Sequence, residues 1–141
     1  MKQDRFRQPE PGVCQHLMYS ENLKDHLANP RHVGEMKDAD VRAEQMNPVC
    51  GDRLSLFMRF EDGRIVAATF LAYGCAPTLA CGSALAEMIH GMTVEDAALI
   101  SREDLTRSLG GLPQRKRHAA ALAIETLRAA LDEARKRNWP L

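Results

Sequence analysis

Apolar and polar side chains alternate in the middle of the chain, and this period of two predicts a half-buried β-strand. The apolar positions of the run are Leu54, Leu56, Met58 and Phe60. An Asp62-Gly63 pair follows the run, and this dipeptide favours a two-residue hairpin turn. The stretch from Ile65 to Tyr73 is then the returning strand, so the pattern predicts a β-hairpin.

Capping residues predict helices on both sides of the hairpin. Ser20 suits the N-cap of a helix that Asn29-Pro30 ends. After the hairpin, Pro77 suits the first turn of a helix that Gly91 stops. A short strand is expected from Val41 to Met46, before the hairpin.

The C-terminal part of the chain is predicted to be helical. Thr93 and Ser101 suit the caps of two short helices, and a long last helix continues to about Arg137. The apolar face of that helix consists of Ala120, Ile124, Leu127, Leu131 and Ala134. Because strands come first and helices after, we predict an α+β fold with helices packed on one face of a small antiparallel sheet. Residues 1–17 lack periodicity and are expected to form a disordered tail, so one domain spans 18–141.

The composition is typical of a single ordinary domain, and the charge balance predicts no partner that is bound by charge attraction. The 141 residues contain 19 Lys and Arg against 19 Asp and Glu, so neither nucleic acid nor an anionic membrane surface is expected as a partner. The uncharged stretch from Ile65 to Ala86 is not expected to span a membrane, because Gly74, Pro77 and Gly82 interrupt it. No apolar signal segment follows Met1, and we therefore expect a cytoplasmic protein.

Four cysteines in a cytoplasmic chain indicate metal or thiol chemistry rather than disulfides. With Asp62-Gly63 as the turn, Asp52 is predicted opposite Tyr73, and Cys50 opposite Cys75. Directly opposed Cβ atoms lie about 4.5–5.5 Å apart. That spacing suits two thiolates on one metal, each at about 2.3 Å. Asp52 projects from the same face as Cys50 and is a third candidate ligand.

Further donors come from the predicted helices. Cys75 precedes a helix N-terminus, where unpaired N–H groups favour an anion, so it is a candidate ligand or nucleophile. Cys81, in the same helix, and His118, at the start of the last helix, are additional candidates for a zinc or iron site. The alternatives remain open: Cys81 as a small buried apolar residue and His118 as a surface histidine. Cys14 is expected to be a free thiol in the tail.

A set of ordered motifs resembles the IscU/NifU-type (SufU-like) iron–sulfur cluster assembly scaffold family. The set consists of Tyr19-Ser20, Asp25-His26, Asn29-Pro30-Arg31-His32-Val33-Gly34, Cys50-Gly51-Asp52 and Tyr73-Gly74-Cys75. The resemblance implies an α+β fold on which a transient [2Fe–2S]-type cluster is built from iron and from sulfur delivered by a cysteine desulfurase. It implies transfer of that cluster to acceptor apo-proteins, a lability-conferring role for Asp52, and ligation by Cys50, Cys75 and His118.

The chain departs from the family pattern at two places. The family usually has His-Cys at the start of the last helix, whereas this chain has His118-Ala119 and lacks the third scaffold cysteine. Cys81 is an extra cysteine that could replace it. Just upstream of this position, family members that are served by a dedicated chaperone have a motif similar to Leu-Pro-Pro-Val-Lys. This chain reads Leu112-Pro113-Gln114-Arg115-Lys116 there.

We therefore predict a non-enzymatic scaffold and carrier that holds a cluster or Zn²⁺ at Cys50, Asp52, Cys75 and His118, with Cys81 as a further candidate. A homodimer around a shared cluster is compatible with this prediction. The alternative is a zinc-bound protein that accepts persulfide sulfur on a cysteine and relays it. A third hypothesis is a thiol enzyme with Cys75 as nucleophile, His118 as base and Asp52 orienting it.

Overall fold

A computed structural model describes residues 19–49 and 51–137 of the chain. The helices and strands are α1 Glu21–Ala28, β1 Val41–Met46, β2 Arg53–Glu61, β3 Arg64–Tyr73, α2 Ala76–Ile89, α3 Val94–Ala98, α4 Arg102–Ser108 and α5 His118–Lys136. A single 3₁₀ turn, Gln114–Lys116, precedes α5. The predicted tail, Cys14 and Cys50 lie outside the described residues.

The three strands form one antiparallel sheet in the order β1-β2-β3, and the helices confirm the predicted α+β class. The predicted caps are confirmed as well. The Ser20 hydroxyl accepts a hydrogen bond from the Leu23 N–H, and Ser101 forms a reciprocal capping box with Asp104. Within the described ranges no helix is long and apolar enough to cross a bilayer.

The hairpin turn is confirmed, but the predicted register beyond it is wrong by one residue. Asp62 and Gly63 both have positive φ, at 51° and 76°, as the mirror-image hairpin turn requires. The register then shifts between Arg59 and Phe60, where β3 contains one extra residue, Val66. Tyr73 consequently pairs with Arg53 instead of Asp52. A bulge depends on packing that alternation along the chain does not encode.

The prediction of a half-buried β2 is also wrong, because the centre of this strand is buried on both faces. Leu56 and Met58 face the helices, whereas Ser55 and Phe57, on the opposite face, are only 3% and 1% exposed. The Arg42 guanidinium lies over the Phe57 ring, 5.2 Å from its centroid. The long stem of arginine can cover apolar surface while its charge stays in water.

The irregular segment 34–40 explains this second burial. At one end, the Gly34 N–H donates to the Phe70 carbonyl on β3 over 2.9 Å. Further along, Asp38 forms a 3.1 Å ion pair with Arg59, which projects from the face that carries Phe57. The segment therefore runs along the face opposite the helices, and it shields that face without forming a strand.

The main core lies between the sheet and helices α2 and α5. Gly82 allows α2 to approach the sheet closely, because a Cβ at this position would lie 2.5 Å from the Phe70 ring. The apolar face predicted for α5 is confirmed as buried. This packing brings the N-termini of α2 and α5 to the end of the sheet where β2 begins.

His26 anchors α1 to α2. Its Nδ1 lies 2.7 Å from the Ser83 hydroxyl, which also accepts a hydrogen bond from the Arg31 N–H over 2.8 Å. Burial lowers the pKa of His26 from its usual 6.5, and the charge of Arg31 lowers it further, although Glu87 and Asp25 oppose the shift. The fold therefore favours the neutral imidazole.

The first prediction concerns stability against pH. Because the unfolded chain binds a proton at His26 more readily than the folded chain, the free energy of unfolding should decrease as pH falls below 6.5 towards the lower pKa of the folded state. His26→Gln should reduce this decrease. Urea unfolding of parent and variant on both sides of pH 6.5 measures the difference, and an unchanged pH dependence in the variant would contradict the assignment.

Candidate metal centre

The Asp52 carboxylate is the central group at the junction of the sheet with helices α2 and α5. Asp52 directly precedes β2 and is only 3% exposed. Its Oδ1 accepts a hydrogen bond from the Cys75 N–H over 3.2 Å, and its Oδ2 accepts one from the Thr78 hydroxyl over 3.1 Å. A buried carboxylate needs such partners to remain charged.

Cys75 occupies the N-cap position of α2 and is half-buried. Its Sγ lies 3.3 Å from Asp52 Oδ2 and 3.3 Å from Thr78 Oγ1. Pro77, in the first helical turn, has no N–H to satisfy and fits this start of the helix. The Cys75 thiol therefore lies at the N-terminus of α2 and also faces the Asp52 carboxylate.

His118 is the first residue of α5, and its Nε2 lies 3.1 Å from Asp52 Oδ2. The imidazole is half-buried, with 26% of its side chain exposed. One potential ligand atom from each of Asp52, Cys75 and His118 lies within 4.8 Å of the other two. One oxygen, one sulfur and one nitrogen donor form a borderline-soft set that suits zinc or iron.

Hydrogen bonding keeps the Asp52 carboxylate ionised. Burial alone would raise the pKa of Asp52, but hydrogen bonds from the Cys75 thiol and N–H, from Thr78 and from His118 together lower it below its usual 3.8. The centre therefore contains a fixed negative charge at neutral pH, and this charge favours a cation between the three side chains.

Gly74 makes the close approach of Asp52 to Cys75 possible. Its φ of 133° lies in a region that other residues rarely adopt, and a Cβ here would lie 2.1 Å from Asp52 Oδ1. Any side chain at this position would displace the carboxylate. The observed strand register also explains the contact. Extending the pairing of Arg53 with Tyr73 by one residue aligns Asp52 with Gly74.

The other predicted ligands are placed differently. Cys50 lies outside the described residues, so its approach to Cys75 stays a prediction. Cys81 is fully buried in the core, and burial, followed by the charge of Cys75, raises the pKa of the Cys81 thiol from 9.0 to about 12. The group of donors that the described residues bring together does not include Cys81. Ala119, where the family pattern has a cysteine, is buried and only 1% exposed.

The sequence reasoning missed Thr78, which touches both Asp52 and Cys75. Thr78 is 1% exposed and stands three residues after the N-cap, where a side chain can reach back towards the cap residue. The three-residue spacing between Cys75 and Thr78 is the one feature of the sequence that indicates this contact. The Thr78 hydroxyl orients the carboxylate and the thiol. Thr78 itself is not one of the residues whose potential ligand atoms lie together.

One side of the centre is open to solvent. A cavity of about 240 Å³ borders His118 and is also lined by residues at the end of β1, including Met46 and Pro48. Met46, Val49 and Tyr73 are exposed apolar side chains at this end of the sheet. A bound ion would therefore lie near an accessible and partly apolar edge of the domain.

The second prediction tests the contact between Gly74 and Asp52. Gly74→Ala should weaken Zn²⁺ binding at least tenfold, because the new Cβ displaces a carboxylate ligand and one such ligand is worth a factor of that order or more. Gly111→Ala is the matched control, since Gly111 also has positive φ, at 106°, but has open space around its Cβ position. Competition titration with a chelating dye measures both affinities. Equal losses in the two variants would mean that backbone strain, and not the clash with Asp52, is responsible.

Comparison with known proteins gives a consistent family assignment. The family described as NifU-like N terminal domain matches residues 18–139. The chain is 40% identical over 121 residues to an iron-sulfur cluster assembly scaffold protein IscU of Archaeoglobus fulgidus. The aligned region covers 86% of this chain and 79% of that protein. It is 35% identical over 120 residues to the iron-sulfur cluster assembly enzyme IscU of Drosophila melanogaster, covering 82% of this chain and 77% of that protein.

Solved structures agree with these relatives. A protein from Fervidobacterium islandicum, assigned as an iron-sulfur cluster assembly scaffold for the SUF system, superposes with a TM-score of 0.67 at 25% identity. The match covers 82% of this chain and 98% of that chain. Sequence and fold thus lead to the same group of proteins, and the chain belongs to the NifU-like N-terminal domain family.

Proposed function

We propose that this protein is a scaffold on which an iron–sulfur cluster is assembled and from which it is passed to acceptor apo-proteins. The observation that carries the proposal is the convergence of Asp52, Cys75 and His118, which come from three separate elements of the fold. Relatives named as cluster assembly scaffolds match most of the chain. The cluster is cargo in this proposal, and Cys50, two residues before Asp52 in the sequence, is the proposed fourth ligand.

The donor set suits temporary binding. Thiolate is the preferred ligand of iron in clusters, whereas carboxylate oxygen is a harder ligand that iron–sulfur centres use less often. With Asp52 in place of a thiolate, a [2Fe–2S]-type cluster would be bound more weakly and released more readily. The exposed edge around Met46 and Tyr73 gives acceptor proteins access to the centre.

Cys75 is the proposed sulfur acceptor. Its thiolate would attack the outer sulfur of a cysteine desulfurase persulfide, forming a new S–S bond on Cys75 while the desulfurase cysteine leaves as a thiolate. The exchange is balanced and needs no external oxidant or reductant. The half-buried position of Cys75 at the start of α2 supports this role, because its Sγ can be reached from solvent.

The zinc-bound sulfur relay is the second candidate function. The same three donors plus Cys50 would satisfy tetrahedral zinc, and the absence of a cysteine at Ala119 lowers the number of thiolates that a cluster would use. The thiol-enzyme hypothesis has less support. The Asp52 carboxylate contacts both Cys75 Sγ and His118 Nε2 and so lies between the nucleophile and its proposed base.

Anaerobic reconstitution with ferrous iron and sulfide separates these functions and provides the third prediction. The parent should develop visible absorbance with about equal iron and sulfide, as expected for a [2Fe–2S]-type centre. Cys75→Ser should lose most of this absorbance, and Cys14→Ser, in the predicted tail, is the matched control that should keep it. Stoichiometric zinc without cluster formation would favour the relay, and size-exclusion chromatography of the reconstituted protein would show whether two chains share a cluster.

The fourth prediction concerns the missing third cysteine. His118→Ala should lower both zinc affinity and cluster occupancy, because it removes one of the three donors that lie together. Cys81→Ala should leave both nearly unchanged, because this thiol is buried in the core. Its cost in stability should be about 1 kcal/mol, as for removal of a small buried group. If Cys81→Ala abolishes binding while His118→Ala has no effect, Cys81 is the substitute ligand.

A further inference from the structure

A second cavity, of about 400 Å³, lies between α4 and the start of α5. It is lined by Arg102, Glu103, Thr106, Arg107, Arg117 and Ala120. Half of these residues are arginines, and all three arginines are exposed. We call this surface the arginine pocket. It contains none of Asp52, Cys75 and His118 and is therefore a separate feature.

Two of the three guanidinium groups have no acidic partner in the described part of the chain. Arg107 forms an ion pair with Asp104 over 3.2 Å. Among the described residues, no carboxylate lies within ion-pair distance of Arg102 or Arg117. Unpaired arginines that converge on one cavity are available to bind an anion from outside the chain.

The sequence around the pocket is locally basic although the whole chain is neutral. Residues 102–117 contain five Lys and Arg but only two Asp and Glu. Part of this charge comes from Gln114-Arg115-Lys116. In family members that are served by a chaperone, the corresponding motif is largely apolar. The departure from the family pattern thus adds one positive charge, Arg115, two residues before Arg117 of the pocket.

We propose that the arginine pocket docks a carboxylate-rich segment of an acidic partner protein. Arginine binds carboxylates through two parallel N–H···O hydrogen bonds, so the unpaired guanidinium groups of Arg102 and Arg117 could hold two Asp or Glu side chains. The pocket is solvent-exposed and five of its six lining residues are polar or charged, whereas small-molecule sites are enclosed and mostly apolar. Glu103 in the lining and the zero net charge disfavour a nucleic acid.

The pocket lies next to the candidate metal centre along the chain. Arg117 directly precedes His118, so a partner that contacts the Arg117 guanidinium also approaches the N-terminus of α5. This position would hold an acidic partner near the start of α5, and Cys75 is not part of the pocket lining. The docking proposal goes beyond the scaffold function and is tested by binding alone, without any metal or cluster.

The probe is a short fluorescein-labelled polyglutamate peptide, with a polyglutamine peptide of equal length as the neutral comparison. Fluorescence anisotropy at about 100 mM NaCl, where the Debye length is about 10 Å, should show binding of polyglutamate only. About 1 M NaCl should abolish this binding because the charges are then screened. Arg102→Gln combined with Arg117→Gln should weaken binding roughly tenfold. The matched control is Arg128→Gln combined with Lys136→Gln, which removes the same charge from exposed positions of α5 outside the pocket.

The control variant should bind within about twofold of the parent, since general charge attraction is weak at a distance. Circular dichroism and urea unfolding of both double variants check that the fold is retained. Three results would overturn the proposal: no binding of polyglutamate to the parent, equal weakening in both double variants, or tighter binding of a labelled oligothymidylate than of polyglutamate. The last result would identify the pocket as a nucleic-acid contact.

Discussion

The buried Asp52 carboxylate is the group on which the arrangement of the candidate metal centre depends. It receives hydrogen bonds from the backbone of Cys75 and from the side chain of Thr78, and it contacts the imidazole of His118. These partners belong to two different helices. A carboxylate at this depth is stable only when all of them are in place, because burial of an unpaired charge is strongly unfavourable. The centre therefore forms only when both helices pack against the sheet.

The packing that positions the helices is built from small residues and close contacts. Gly82 allows α2 to lie against Phe70, and Gly74 allows the chain to pass Asp52 without a clash. The segment 34–40 buries the second face of the sheet, so the strands are held from both sides. The centre therefore rests on a sheet that is packed on both faces, and it opens at one edge. An open centre suits temporary binding of a cargo better than enclosed catalysis.

Two surfaces of different character meet the start of α5, where His118 borders one cavity and Arg117 lines the other. The apolar edge with Met46 and Tyr73 is close to the ligand atoms, whereas the arginine pocket is polar and contains none of them. Under the proposed function, the protein would receive sulfur from one partner and pass a cluster to another. Surfaces that differ in chemistry allow such partners to be distinguished by charge and by apolar contact.

The sequence by itself determined the elements and most of the candidate ligands. Caps such as Ser20 and Ser101 and the turn at Asp62-Gly63 act within a few residues, so local chemistry is sufficient to predict them. The family motifs indicated Asp52, Cys75 and His118 from residue identity and order alone. The same motifs placed Cys50 with them, and that position remains a prediction.

Only the tertiary structure decided the register, the burial of the second sheet face and the contacts of the centre. The extra residue Val66 shifts every pair beyond it, and the bulge depends on how β3 bends against its neighbours. Thr78 and Gly74 matter because they meet Asp52, which is distant in sequence. Cys81 is separated from the candidate ligands because its side of α2 faces the core. Such long-range contacts arise when helices and strands pack together, and no local pattern of residues specifies them.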